Sequence, residues 1–406
     1  MNILFITPYP PCPPVTGYQI RIYNLIKRLA RHHRIWLLTF DDYGFVTPDT
    51  LRDMQTLCAE VIIARRDHRT LLRRLRGVLS YLRTGTPWQI RYLESAHARQ
   101  LIQELCRKIQ FDVMQIEDSP TARYWEYIPH PETRGTFITF HDVLFDKFRR
   151  MVRTERGLRA KARRWLYART MAAWEPRYME RFDRCLVMSQ RDGRVLHAHN
   201  PNLQIEVVPN GVDTQLLTLL PDQAAIPRLL FVGILGGGTN VDAVLYFHRQ
   251  VLPLIQKEIP QVELWIAGHK PCPEILQLAG ERVRIIANPD SVVPCYAACT
   301  VAIVPLRAGG GTKLKILEAM ALGRPVITTT IGVEGIDAVA GQSILIADDP
   351  AAMAAQTVNI LTDADQRKQI ALAARRLVET HYDWDSIADH LMEIYAAVAG
   401  AKRRQT

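Results

Sequence analysis

The 406-residue chain has no uncharged apolar run of about 18 residues, so no membrane-spanning helix is expected. Its opening, MNILFITPYPPCPPVTG, has neither a basic start nor a long apolar stretch. We expect a first strand and a loop there, not a secretory leader. Cysteine patterning is missing too. Cys12, Cys58, Cys106, Cys185, Cys272, Cys295 and Cys299 are odd in number and scattered, and no C-x-x-C pair occurs. Cys295 and Cys299 have no histidine-rich partner segment. These absences argue against a disulfide framework and a zinc set and fit reduced packing cysteines in a cytosolic protein. No segment is of low complexity.

Acidic residues are in short supply: 51 Lys/Arg face 41 Asp/Glu, for a net charge of +10. The excess is concentrated. Residues 147–184 hold thirteen Lys/Arg against four Asp/Glu, and residues 65–83 hold seven Arg against one Asp. Solvated helix faces are one reading of such stretches. The other is attraction to an anionic membrane surface. No nucleic-acid motif accompanies the charge, so no nucleic-acid partner is expected.

What is present reads as an α/β protein. Hydrophobic content of 48% and charged content of 23% suit a globular chain, and the length suits two or three domains. NILFITPYPPCPPVTGYQIRIYNLIKRLARHHRIWLLTF is an apolar run, a Pro/Gly loop, an amphipathic helix and a second apolar run. The same order returns in RLLFVGILGGGTNVDAVLYFHRQVLPLIQKEIPQVELWIAGH, from Arg228 to His269. Two βαβ openings predict two Rossmann-like domains with parallel sheets, facing across a cleft. Pro209-Asn210-Gly211 and the proline-flanked LPDQAAIPR mark the seam. The expected division is 1–220, 221–385 and a C-terminal helix at 386–406 that packs back on the first domain.

In parallel sheets, ligands bind beyond the carboxyl ends of the strands. Gly17 follows the first strand and lets backbone approach a ligand. His141 and Asp142 follow the strand TFITF. After TVAIVPL comes RAGGGTKLKILEAMALGRPVI, from Arg307 to Ile327. There Gly309 to Gly311 let successive amides turn toward one point, and a helix starting near Thr312 aims its positive end at it. Lys313 or Lys315 adds charge, which suits a diphosphate. Glu318, three residues after Lys315, shares its helical face and suits the hydroxyls of a ribose. Leu314, Leu317 and Ala321 form an adjacent apolar stripe.

VPNGVD, LLFVG…NVDAV and PLRAGGGTKLKILEAMALGRPVI together resemble the family 4 glycosyltransferases of the GT-B fold, over nearly the whole chain. The resemblance implies sugar transfer from a nucleotide-diphosphate sugar with retention of configuration, without a metal ion and without a resident cofactor. It places the donor mainly on the second domain and the acceptor, a glycan or a lipid-linked sugar, mainly on the first. It gives Glu318 the place of the second glutamate of E-x7-E, which holds the donor ribose. The first glutamate would fall at Gly310, and the family's basic pair after FVG is replaced near Ile234 and Asn240. Lys313, Lys315 and the amides of Gly310, Gly311 and Thr312 are expected to compensate, with Arg307 on the same loop. By the same resemblance His141 contacts the transferred sugar, and Gly17 matches one of two loop glycines, the other being Thr16.

Catalysis is then electrostatic, through His141, Lys315 and Glu318, with the leaving diphosphate taking the acceptor proton. The chain is expected in the cytoplasm, peripheral on the inner face of the membrane through 65–83 and 147–184. Two rivals are a non-catalytic nucleotide-sugar-binding module and a nucleotide-sugar 2-epimerase of the same fold.

Overall fold

A computed structural model describes all residues except 43, 67–84, 88–89, 91–93, 156, 222–226 and 406. It forms two compact units, Met1–Pro209 with Ile387–Thr406, and Asn210–Ser386. The break falls after Pro209, ahead of the proline-flanked segment, because residues 210–221 bind the second unit. Leu220 N–H donates to Leu322 O at 3.2 Å, Arg324 Nη2 donates to Pro221 O at 2.7 Å, and Arg375 Nη2 donates to Thr214 O at 2.9 Å.

The first unit carries a seven-stranded sheet in the order β3-β2-β1-β4-β5-β6-β7. Its strands are β1 (Asn2–Ile6), β2 (Arg34–Phe40), β3 (Glu60–Ala64), β4 (Val113–Glu117), β5 (Gly135–Phe140), β6 (Arg184–Val187) and β7 (Ile205–Val207). The second carries six strands in the order β10-β9-β8-β11-β12-β13. These are β8 (Arg228–Ile234), β9 (Glu263–His269), β10 (Val283–Ala287), β11 (Val301–Val304), β12 (Val326–Thr328) and β13 (Leu345–Ile346). All pairings between these strands are parallel. Helices cover both faces, which is why β4, β5 and β11 are buried at every position; β11 reads as a continuous apolar run, while β4 and β5 carry the buried polar residues Gln115, Glu117, Thr136 and Thr139. Both units are therefore Rossmann-like.

The strand order reverses between β1 and β4 in one unit and between β8 and β11 in the other. Loops leaving adjacent strands diverge at such a point and open a crevice at their carboxyl ends. Gly17 thus lies after β1, Asp118 after β4, and His141 after β5. In the second unit Asn240 follows β8 and the triglycine loop follows β11.

Six helices matter for the site: α1 (Gly17–Leu29), α2 (Leu144–Thr154), α3 (Leu158–Tyr178), α4 (Gly238–Tyr246), α5 (Leu314–Ala321) and α6 (Trp384–Gln405). The start of α1 is closed by a capping box, Thr16 Oγ1 accepting from Gln19 N–H at 3.3 Å while Gln19 Oε1 accepts from Thr16 N–H at 3.1 Å. From Ile387 onward α6 belongs to the first unit. Its Tyr395 ring packs edge-on against Phe137 of β5 at 4.8 Å, and Lys402 pairs with Asp183 at 2.7 Å.

The cysteines are unpaired, and Cys12, Cys58, Cys185, Cys295 and Cys299 are buried. Burial raises the thiols of Cys58, Cys185 and Cys299 to about 12, which keeps them protonated and inert. Among the described residues, no helix is long and apolar enough to cross a membrane.

Candidate functional site

The triglycine loop is shaped by backbone that only glycine adopts readily: Gly309 has φ 122° and Gly311 φ 66°. Lys313 clamps it from inside. Its Nζ donates to Gly310 O at 2.7 Å and to Gly311 O at 2.5 Å, so this ammonium is spent on the loop's own carbonyls. Thr312 is buried and its hydroxyl donates to Gly335 O at 3.4 Å. α5 begins at Leu314, two residues later than the sequence suggests, and no side chain caps it. The Ile316 amide is closed by Lys313 O at 2.9 Å, and the two helical amides before it lack intrahelical partners by construction. The start of α1 differs, since Thr16 already satisfies it.

α5 stays in place through its apolar face, with Ile316, Leu317, Met320 and Ala321 buried. Lys315 leaves the other face toward the end of β8. Its Nζ donates to Asn240 Oδ1 at 2.9 Å and lies over the Phe231 ring at 4.3 Å from the centroid. Asn240 is oriented by its own amide, which donates to Ile234 O at 3.0 Å. Gly233 makes the passage possible, since a Cβ there would stand 2.8 Å from Lys315 Nζ. Burial lowers the Lys315 ammonium to about 7, against the opposing pull of Glu318. Burial also raises the Glu318 carboxyl, with Lys315 pulling it down. Two groups of opposite charge thus share a poorly solvated face one helical turn apart. No hydrogen bond from a described residue to the Glu318 carboxylate is present.

Arg307 points elsewhere. It forms a two-pronged ion pair with Asp242 of α4, at 3.1 and 2.6 Å, and stacks on Tyr246 at 4.6 Å. Both members of the pair are about half exposed.

In the first unit, His141 Nε2 lies 2.7 Å from Glu117 Oε2, and the Tyr18 ring packs on the imidazole at 4.4 Å. Next to Glu117, Asp118 has φ 73°, a strained value for a residue with a side chain. Burial raises its carboxyl to about 6, with His141 opposing and Asp142 adding to the rise. Behind it, Glu175 of α3 is fully buried, accepts from Ser119 Oγ, and is raised by burial to about 8. Asp142 pairs with Lys147 at 2.6 Å.

The sequence pointed to Gly17, His141 and the 307–318 segment and named Asn240 only as a replacement for the family's basic pair; it missed Glu117, Asp118, Tyr18 and Asp242. An acidic pair at the end of one strand, IED, beside a histidine directly after its neighbour was the available signal. No group of three or more His, Cys, Asp and Glu among the described residues is arranged to hold a metal ion.

Of the two basic stretches, 67–83 lie outside the described residues. Arg66 turns inward, pairing with Asp42 at 2.8 Å and lying over Phe40. Within 147–184, Asp146 is paired with Arg149 at 2.6 Å and Arg150 at 3.0 Å, and also with Arg191. The first half of α3 is different: Arg159, Lys161, Arg163, Leu158, Trp165 and Leu166 are all exposed, Leu158 by 84%.

Comparison with known proteins agrees with this architecture. A family model described as Glycosyltransferase Family 4 matches residues 15–216, and one described as Glycosyl transferases group 1 matches 226–363. An uncharacterized 44.6 kDa protein in the cps region of Klebsiella pneumoniae is 30% identical over 165 residues, 38% of this chain and 42% of that protein. A phosphatidyl-myo-inositol mannosyltransferase of Mycolicibacterium smegmatis is 28% identical over 206 residues, 48% of this chain and 52% of that protein. The chain thus matches about half the length of these curated relatives. Among solved structures, sucrose-phosphate synthase from Thermosynechococcus elongatus aligns with a TM-score of 0.73 at 17% identity, covering 99% of this chain and 100% of that one. HepE of Anabaena, solved with UDP-glucose, aligns at 0.65 and 16% identity, covering 98% and 100%. At such identities the likeness concerns the fold. One family model on each unit and a shared fold along the whole length lead to one statement: this chain belongs to the family 4, group 1 glycosyltransferases and has the GT-B fold.

Proposed function

We propose that the protein moves a sugar from a nucleoside-diphosphate sugar to a hydroxyl of a glycan or lipid-linked acceptor, with retention of anomeric configuration. The observation that carries this is Lys315, a half-buried cation lowered by burial to about 7 that reaches Asn240 at the end of β8 from the face of α5 that bears Glu318. A poorly solvated ammonium favours anions beside it, and a diphosphate would add to the Glu318 carboxylate there. The family's basic pair would sit beside Asn240, and Lys315 delivers charge there from a different element. The diphosphate then lies against Lys315 and the uncapped amides at the start of α5. Gly309 to Gly311 give it room, and the free Glu318 carboxylate accepts the ribose hydroxyls. Lys313 contributes indirectly, by holding the loop.

As the anomeric carbon–oxygen bond to phosphate breaks, negative charge grows on the leaving diphosphate. Lys315 and the helix amides stabilise it more strongly than they stabilise the intact donor. The acceptor oxygen bonds to the anomeric carbon on the same face, and its proton passes to the departing phosphate. His141 contacts the transferred sugar. UDP-glucose, the ligand in the HepE structure, is the first donor to try. The exposed Leu158, Trp165 and Leu166 amid Arg159, Lys161 and Arg163 on α3 suit an anionic membrane surface, where a lipid-linked acceptor is presented.

The test is release of nucleoside diphosphate from a panel of nucleotide sugars offered with glycan and polyprenyl-linked acceptors. Turnover by the native protein and its collapse in Lys315→Met support transfer. Tight donor binding without any turnover would identify a binding module instead.

A further inference from the structure

A buried hydrogen-bond chain runs from the C-terminal helix to His141. Glu117 is 1% exposed, Gln115 1% and Tyr395 0%. Glu117 Oε1 lies 3.0 Å from Gln115 Nε2 and 3.2 Å from Thr139 Oγ1. Its other oxygen, Oε2, lies 2.7 Å from His141 Nε2. At the far end, Tyr395 Oη of α6 lies 2.9 Å from Gln115 Oε1. The local geometry explains the convergence. Residues 115 and 117 share one face of β4, and Thr139 stands opposite Glu117 in the β4–β5 register.

The charge on Glu117 has a counterpart. Arg21 of α1 is 1% exposed. Burial lowers its guanidinium to about 10 and Glu117 opposes that fall, so it remains a cation at neutral pH. Its Nη1 donates to Pro209 O at 2.5 Å.

The direction of every bond follows from one fact: a carboxylate only accepts. Gln115 must turn its amide nitrogen to Glu117, which leaves its oxygen toward Tyr395, so the tyrosine hydroxyl must donate. His141 must likewise carry a proton on Nε2. We infer that the Tyr395–Gln115–Glu117 chain fixes His141 in the Nε2–H tautomer, so that Nδ1 is the atom offered to the substrate, as an acceptor for a sugar hydroxyl. Glu117, Gln115 and Tyr395 are positioning residues in this scheme. No described residue hydrogen-bonds to His141 Nδ1, and the Tyr18 ring on the imidazole at 4.4 Å resists ring rotation. Asp118, Asp142 and Lys147 surround the same strand ends, so a hydroxyl donor approaches a polar, partly negative rim.

The inference rests on the sugar-side reading of His141, but its first half can be measured without any turnover. Nitrogen-15 histidine NMR reads the tautomer, and the signal that vanishes in His141→Ala assigns it. Above the imidazole titration, the native protein should show Nε2 protonated and Nδ1 bare. Glu117→Gln places an amide opposite Nε2, and the amide's two ends allow either tautomer. The proton should shift toward Nδ1, and kcat should fall about ten- to a hundredfold, the loss of one charge-assisted bond, with nucleoside-diphosphate affinity unchanged. Tyr395→Phe, a milder change two links away, should lower kcat severalfold in the same direction and keeps the idea testable if Glu117→Gln fails to fold. An Nδ1–H tautomer in the native protein, or an unchanged tautomer in both variants, would overturn the chain. The expected tautomers with full turnover in Glu117→Gln would leave the chain standing and instead refute the sugar-side role of His141.

Discussion

Donor affinity should depend on pH through Lys315. In the empty site its ammonium is lowered to about 7 by burial, so near neutral pH about half the molecules lack the charge. A bound diphosphate favours the ammonium and raises its proton affinity, so binding takes up a proton. The sign follows: above pH 7 the empty site loses its proton before the occupied one does, and the dissociation constant rises with pH. Between pH 7 and 8.5 the uncharged fraction grows from about one half to nearly all, which weakens binding about fifteenfold, or ~1.6 kcal/mol. The ligand's own phosphate titrates near pH 6, outside this window. Isothermal calorimetry with UDP, GDP and ADP, in two buffers of different ionisation heat, reads both the affinity and the protons taken up. Lys315→Met should bind more weakly with a flat profile. Native binding that is tight, unchanged from pH 7 to 8.5 and free of proton uptake would refute the assignment of the phosphate to Lys315.

Three other outcomes are expected. Glu318→Ala should cost about 1.5–3 kcal/mol of nucleoside-diphosphate affinity through lost ribose bonds, and calorimetry showing unchanged affinity in the folded variant would remove the ribose from that residue. His141→Ala should lower kcat far more than it lowers nucleoside-diphosphate affinity; steady-state kinetics with an equal loss in both would make it structural. Flotation with liposomes should show attachment to anionic vesicles that fades with salt as screening shortens the Debye length to about 3 Å at 1 M. Replacing Trp165 and Leu166 by Ser should weaken that attachment, and equal binding to neutral vesicles would contradict the α3 surface.

The architecture was legible because parallel strands buried on both faces leave apolar runs, as in Ile3–Ile6 of β1 and in β11, even though β4 and β5 are interrupted by buried polar residues. The triglycine loop ahead of a helix was legible because three glycines before two lysines is a local signal. What each lysine does was not, since it depends on chain brought from far away. Lys315 reaches Asn240, 75 residues earlier, while Lys313 turns back on its own loop. Arg307, expected on the donor, meets Asp242, 65 residues earlier. His141 stood out as a polar residue at a strand end, but its orienting partner Glu117 lies 24 residues away, and only the β4–β5 register makes them neighbours. The basic stretch 147–184 read as uniform charge. In the fold Asp146 gathers part of it, and the first half of α3 combines exposed cations with exposed apolar side chains. At the start of α1, Thr16 stands where the resemblance places a second glycine, and the fold uses it as a helix cap.

The most direct test of the central claim is thermal unfolding of the native protein and Lys315→Met with a panel of nucleoside diphosphates and their sugars. A ligand at a hundred times its dissociation constant stabilises the native state by about 2.7 kcal/mol. The account predicts that at least one base series raises the melting temperature of the native protein, and that Lys315→Met loses most of the shift. A folded native protein unmoved by every nucleotide and nucleotide sugar, or an equal shift in both proteins, would contradict it.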